Sequence, residues 1–393
     1  MKPQFKTLKL GLLIKGILLL TTATTFAQFP GVEWEETIGG NSDDYAESIA
    51  QTSDGGYIIG GYSRSDISGD KTENNLGPDY SSDYWIMKTD ANGNIEWQNT
   101  IGGDSYEYLT SIEETMDGGF IIGGYSNSGV SGDKTENDAE NDYWIIKLDN
   151  TGNIIWQNTI KGTEDERSPI VRQMADGNYI VAGTSESGAG IDKTEINYGY
   201  EDIWILKIDA SGNIVWQNTI GGNHYDVLKG MDLTVDGGII LGADSRSDIS
   251  GDKTENAFGT KNYYDYWVVK LNALGNIEWQ KTIGGFKSDF MNSISQTTDN
   301  GFIIGGTSES GATGLKTEPG ISNDYDYWII KLDATGNILW QNTIGGDHNE
   351  YDAVAIEVED GFMVGGTSWS GISGDKAEDE IGGLSGLSDY WIL

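Results

Sequence analysis

A single 21-residue unit recurs along the chain and fixes what it can fold into. It reads DYWIIKLDATGNILWQNTIGG from Asp326 to Gly346, with near-copies opening at Asp83, Asp142, Asp202 and Asp265. Half-copies stand at the ends: VEWEETIGG from Val32 and DYWIL from Asp389. Within the unit, Tyr327, Ile329 and Lys331 alternate with Trp328, Ile330 and Leu332, the period of a strand. The Asp-Ala-Thr-Gly-Asn step then supplies a tight turn, with Gly336 free to take positive φ. A second β-rich run, Asn337 to Ile344, completes a hairpin.

The connections repeat as well. The tryptophan of the second hairpin strand falls at 34, 97, 156, 216, 279 and 340, a period of 59 to 63 residues. After each hairpin come an acidic loop, a short apolar run such as Ser48 to Thr52 or Ser111 to Thr115, and an Asp-Gly-Gly-like turn. A strand of the type GYIIGGYS follows, and a longer polar loop, typically SGDKTEN, leads back to the next DYW. Four strands repeated six times predict an all-β, six-bladed β-propeller of four-stranded blades, each sheet burying a face on the next. The expected order from the axis outward is the small-residue Gly-Gly strand, DYW, GNIxW, then SIxxT. The ring is expected to close by pairing the N- and C-terminal strands, with Val32 to Ile38 and Glu47 to Thr52 joining Gly361 to Ser368 and Asp389 to Leu393. Closure removes the free edges that invite aggregation.

The pattern GGDxxDxxxSIxxTxDGGFIIGGYS resembles the SBBP-type repeats of secreted bacterial β-propellers. Leu332 to Trp340, LDATGNILW, is similar to the tryptophan motif of quinoprotein propellers, where it is a structural repeat. The whole string, SGDKTEN included, resembles extracellular proteins exported by the type IX secretion system. The resemblance covers the repeat region and implies the propeller fold and an extracellular or cell-surface address. It implies no activity.

The amino terminus agrees with that address. Lys2, Lys6, Lys9 and Lys15 surround an apolar run from Leu10 to Leu20, and Thr25-Phe26-Ala27 follows, the pattern of a secretory signal peptide over 1–27. The propeller is then expected over 28–393, with no membrane span. There is no cysteine, so neither disulfides nor lipobox acylation enter. Removing the four signal lysines leaves 20 basic against 62 acidic residues, a net charge of −42. Such a protein repels nucleic acid and anionic membranes. The expected partners are an extracellular glycan or protein, met by a monomer.

Strand direction puts the SGDKTEN loops and the Gly-Gly-acidic loops on one face and the two short turns on the other. Loops on a rigid scaffold carry recognition, so the loop-rich face is the expected binding face. Three acidic positions recur there. Asp83, Asp142, Asp202, Asp265, Asp326 and Asp389 open the DYW strand. Asp44, Glu107, Asp165, Asp226, Asp289 and Glu350 precede the SIxxT core. The loops add Asp70 and Glu73, Asp133 and Glu136, Asp192 and Glu195, Asp252 and Glu255, and Asp375 and Glu378, the fifth copy keeping only Glu318. Six to eight such oxygens are what Ca²⁺ takes, and Asp70, Glu73, Asp133, Glu136, Asp252 and Glu255 are the loop carboxylates of that calcium reading. The competing reading is that they cap backbone N–H groups at strand ends and turns. The Lys in each DKTE-like loop and the lack of a spaced-Asp calcium loop favour the capping role.

Twelve of the thirteen tryptophans occupy the two repeat positions and are expected to pack blade against blade. Each buries roughly 150–250 Å², worth about 4–6 kcal/mol. The thirteenth is Trp369, in the column held elsewhere by Arg64, Asn127, Glu186, Arg246 and Glu309. Those six are expected to ring one mouth of the channel and to carry ligand preference, Trp369 stacking on a sugar ring. A variable, solvent-facing loop column is the plain alternative.

For catalysis the chain offers little: His224 and His348 are its only histidines, and no Ser/His/Asp group or Cys nucleophile stands apart from the repeat. No catalytic residue is assigned. The expected function is an exported binding or structural module for a glycan or protein, calcium-assisted in the metal reading. The alternative from another class is a polysaccharide-active enzyme using carboxylates on the loop-rich face.

Overall fold

The computed structural model describes residues 34–393 except 138, 139, 261, 323 and 380–387. The expected signal peptide at 1–27 lies outside the described residues. Of the amino-terminal unit Met1–Glu36 only the last three residues are described, and they are irregular and exposed. Among its described residues the second unit, Thr37–Leu393, carries 23 strands. Among the described residues there is no helix long and apolar enough to cross a membrane.

The strands form a six-bladed β-propeller. In the first blade β1 (Asp44–Gln51), β2 (Tyr57–Ser63), β3 (Asp83–Thr89) and β4 (Ile95–Ile101) pair in chain order, all antiparallel. Four more blades repeat this order, and the sixth contributes Glu350–Val358, Gly361–Ser368 and Asp389–Ile392. The strand order corrects the expected one. The SIxxT strand, β1 and its counterparts, is innermost and packs on the inner strands of neighbouring blades, the Gly-Gly strand is second, DYW third and GNIxW outermost.

Small residues misled the reading because they serve a bulge rather than the axis. The register slips between Ala46 and Ser48, opposite Gly60 and Gly61. A Cβ at Gly61 would stand 1.8 Å from the Tyr45 carbonyl oxygen. The same slip recurs in the inner strand of every blade, adding one or more unpaired residues and re-aiming side chains.

One part of the expected closure is corrected with it. Glu47 to Thr52 belongs to the first blade, where most of it pairs with β2. Val32 and Gly31 lie outside the described residues, and 34–38 form no strand. Among the described residues Asp389–Ile392 is the last strand of its sheet.

Packing between blades follows from alternation along the third strand, which is buried on both faces in five blades. Tyr143 and Ile145 join the core toward the third blade, while Trp144, Ile146 and Leu148 join the core toward the first. Tyrosine meets tryptophan across these interfaces, as in Tyr84–Trp144 and Tyr266–Trp328, both at 5.2 Å between ring centroids.

The outer WQN triplet staples the same neighbours. Trp97 lies on Gly152 in the next blade's turn, and Asn99 donates to the Gly152 carbonyl at 2.8 Å. Gly152 has φ 87° and a Cβ there would come within 2.9 Å of the Trp97 ring, so glycine is required twice over. Gln98 accepts from the Trp85 indole and donates to the Asp70 carbonyl. The expectation of blade-to-blade tryptophans therefore holds.

Candidate functional site

Chain parity places the second-to-third and blade-to-blade connections on one face, as read from the sequence. They touch there: Asp133 N–H donates to the Gly102 carbonyl at 2.9 Å, and Asp252 N–H to that of Gly221 at 2.8 Å.

The loop carboxylates are occupied by backbone donors. Asp70 accepts from Gly39 N–H at 3.0 Å, Asp133 from Gly102 at 3.3 Å and Asp252 from Gly221 at 3.3 Å. Glu73 accepts from Thr100 N–H at 2.6 Å, Glu136 from Thr159 at 3.2 Å, and Glu255 from Thr282 at 2.7 Å and from Lys281 Nζ at 2.8 Å. Among the described residues no three Asp, Glu, His or Cys side chains gather in a way able to hold a metal ion. The donor set fits caps that tie loop to blade and does not fit calcium, which takes six to eight oxygens in one shell. The melting midpoint is accordingly expected to agree within about 2 °C in millimolar calcium and in excess chelator, compared by differential scanning calorimetry; a rise of several degrees with calcium would show a site bound preferentially by the folded chain.

The other two acidic positions meet inside the protein. Asp83 of the first blade hydrogen-bonds Glu107 of the second, and both are fully buried. Asp142 and Glu166 form the same kind of pair. Glu166, and not Asp165, opens the third inner strand; Asp165 instead binds Arg167 at 2.7 Å. Asp202 faces Asp226, Asp265 faces Asp289 and Asp326 faces Glu350. The Lys of each loop is buried beneath them: Lys253 lies 4.9 Å from the centroid of the Trp267 ring, donates to Thr282 Oγ1 at 2.9 Å, and feels Asp226 and Asp265. One ammonium thus serves two carboxylates per blade. Burial, the first cause in each case, pushes Asp83 and Asp265 up to about 8, Asp202 to about 7 and Asp326 and Asp289 to about 6. Burial likewise lowers Lys193 and Lys253 to about 8.

The six variable-column residues sit one strand out from the axis, because they follow the second strands. The backbone N–H of each donates to a residue just before an inner strand: Arg64 to Asp43, Asn127 to Tyr106, Glu186 to Asp165, Arg246 to Tyr225, Glu309 to Ser288 and Trp369 to Asn349. Their side chains are engaged differently. Arg64 reaches Asp43 at 3.5 Å, Asn127 accepts from Tyr106 N–H, Glu186 holds Arg167, and Glu309 holds Lys287 at 2.9 Å. Arg246 lies 4.0 Å from the Tyr264 centroid, and Trp369 is 41% exposed.

The axial positions are the bulge residues. Glu47, Thr110, Ser168 and Lys229, one from each of four blades, line a cavity of about 400 Å³ together with Arg167 and Glu201. Arg167 carries Asp165, Glu186 and, at 3.8 Å, Glu201; Lys229 stands 3.5 Å from Asp244. Asp244 is buried and pushed up to about 7, by burial first, and accepts from Met291 N–H. On the first two blades, around the strand that carries Glu47, tyrosines cluster: Tyr45 stacks on Tyr62 at 4.7 Å, Tyr62 meets Tyr108 edge-on at 4.9 Å, and Tyr108 stacks on Tyr125 at 5.1 Å and on Tyr106 at 6.3 Å. The sequence reading missed this site. A signal for it is the fourth column of the inner strand, Glu47, Thr110, Pro169, Lys229, Asn292 and Ala353, which changes chemistry from blade to blade.

No family model matches the chain. The regulatory protein FlaEY of Caulobacter vibrioides is 25% identical over 227 residues, covering 54% of this chain and 23% of that protein, so the chain spans about a quarter of its length. Among solved structures, the Pan2 WD40 domain of Neurospora crassa is 12% identical with a TM-score of 0.44, covering 82% of this chain and 75% of the other. A protein of unknown function from Bacteroides caccae is 11% identical with a TM-score of 0.41, covering 76% and 81%. Cobalt-substituted ACO from Synechocystis is 12% identical with a TM-score of 0.45, covering 80% and 64%.

Proposed function

We propose that this chain is an exported β-propeller of the cell surface or extracellular space that binds a glycan or protein ligand over the axial mouth of its loop-rich face. The signal-peptide pattern and the resemblance to secreted SBBP-type and type IX-exported repeats support the address. One observation carries the binding role. The blades repeat almost residue for residue in their cores, yet at the axis they present Glu47, Thr110, Ser168 and Lys229, four different chemistries around one cavity. A scaffold used only as a spacer needs no such variation. Loops and mouths of rigid scaffolds are where ligands are held.

The test uses arrays of glycans and of peptides probed with the labelled full chain. Thr110→Trp, which places an indole in the cavity, is expected to lower the retained signal at least tenfold. Val215→Ser, an exposed change on an outer strand, is expected to leave it unchanged. Equal signals from the two variants, or no ligand retained on either array, would sink the reading.

A further inference from the structure

The proposed axial site has a chemical preference that its lining reveals. Glu47, exposed at the bulge, has no ion-pair or hydrogen-bond partner among the described residues and stands two residues beyond Tyr45, which pairs with Tyr62 across the ladder. Glu47 lines the cavity together with Arg167 and Glu201. In the cavity lining Glu47 and Glu201 stand with Arg167 and Lys229, and each of those two cations already has a carboxylate partner.

The tyrosine wall supplies the second half of the argument. A cation over an aromatic face is attracted by the ring quadrupole, the more so where water is partly excluded. The molecule already uses this contact at the same mouth. Arg246 lies over Tyr264 at 4.0 Å and Tyr225 at 5.7 Å. On the first and second blades Tyr45, Tyr62, Tyr106, Tyr108 and Tyr125 form a comparable wall, and among the described residues no Lys or Arg lies over any of them. An aromatic wall with an uncompensated carboxylate at its base, on a chain of net charge −38, selects positive charge and steers it inward.

Resting on the binding-module reading, we propose that the axial site takes an organic cation, an ammonium or guanidinium, seated against the Tyr45–Tyr62–Tyr108 wall with its charge met by Glu47. A lysine or arginine side chain of a peptide and a free amine share this chemistry, and the test separates them.

Calorimetry on the full chain compares a heptapeptide bearing three lysines, its glutamine counterpart and free cadaverine. The lysine peptide is expected to bind at least tenfold more tightly than the glutamine peptide and to weaken at high salt. Glu47→Gln and Tyr62→Leu are each expected to weaken it about fivefold or more. Tyr62→Phe, which keeps the ring, and Glu359→Gln, an exposed carboxylate elsewhere, are expected to change nothing. Cadaverine matching the lysine peptide supports the proposal and assigns the source to a free amine; a peptide preference supports it and assigns the source to a protein. Equal binding of the glutamine peptide, or indifference to Glu47→Gln, overturns it. A neutral glycan lost on Thr110→Trp overturns the cation preference while leaving the binding module standing; failure of every probe, arrays included, overturns both.

Discussion

Lys253→Met is expected to cost the fold about 3–5 kcal/mol at pH 7, measured by urea unfolding. Methionine keeps most of the volume, so the loss is electrostatic in origin. Lys253 is 2% exposed, and its ammonium sits between Asp226 and Asp265, both fully buried. Removing it strands a buried negative charge, and stranding one partner of a buried set costs far more than the set contributes net. The contact with Trp267 and the bond to Thr282 go with it. The signature is in the pH dependence of the deficit. At pH 5 both carboxyls of the variant can hold protons, because burial raises both, and the deficit is expected to fall by more than half. An equal deficit at pH 5 and pH 7 would mean that packing alone is responsible, and a loss below about 1 kcal/mol at pH 7 would remove the ion set from the stability account.

The second large effect is on the unsubstituted protein: its stability is expected to fall as pH rises from 5 to 8, by on the order of 5 kcal/mol. The sign follows from proton binding. Asp83, Asp202, Asp265, Asp289 and Asp326 have folded-state values of about 6 to 8 against an ordinary 3.8. Between those limits the folded chain holds protons that the unfolded chain has released, so each rise in pH favours unfolding. Lys193 and Lys253 work the other way, with folded values of about 8 against 10.5, but only above that window. A different group sets the acid limit. Asp299 is lowered to about 2 by the Thr297 hydroxyl and the Lys331 ammonium, so its contribution is present above about pH 4 and lost below it. Melting points at pH 5, 6.5 and 8 should therefore descend, and a flat or rising series would contradict shared protons at the blade interfaces.

Much of this was legible in the sequence, for reasons that differ residue by residue. The paired tryptophans, Trp85 with Trp97 and their counterparts, announced the repeat because a blade interface needs a large ring at a fixed strand position. Gly336 announced a turn because its φ of 83° is one that residues with a Cβ rarely adopt. The inner strand was misplaced because Gly60 and Gly61 look like residues crowded by an axis, whereas Gly61 is crowded by the bulged strand across one ladder and Gly60 by Leu109 and Ile112 of the next blade. A bulge leaves no local pattern, so the side chains it turns inward, Glu47 and Lys229, were invisible as a set. The recurring acids were seen, but an acidic column reads alike whether it caps a backbone N–H, as Asp70 does, or shares a proton across an interface, as Asp83 does. Only the partner distinguishes them, and the partner is a blade away.

The bulge also bears on how such a protein changes. In the first, second, fourth and fifth blades its extra residue, Glu47, Thr110, Lys229 or Asn292, stands outside the ladder and outside the hydrophobic core clusters, so it can be exchanged without disturbing either constraint. Duplicating or transplanting a whole blade would then carry one axial side chain with it, intact, into a new ring. Recognition in this architecture can be edited one blade at a time, like a combination lock whose wheels turn independently while the housing stays the same.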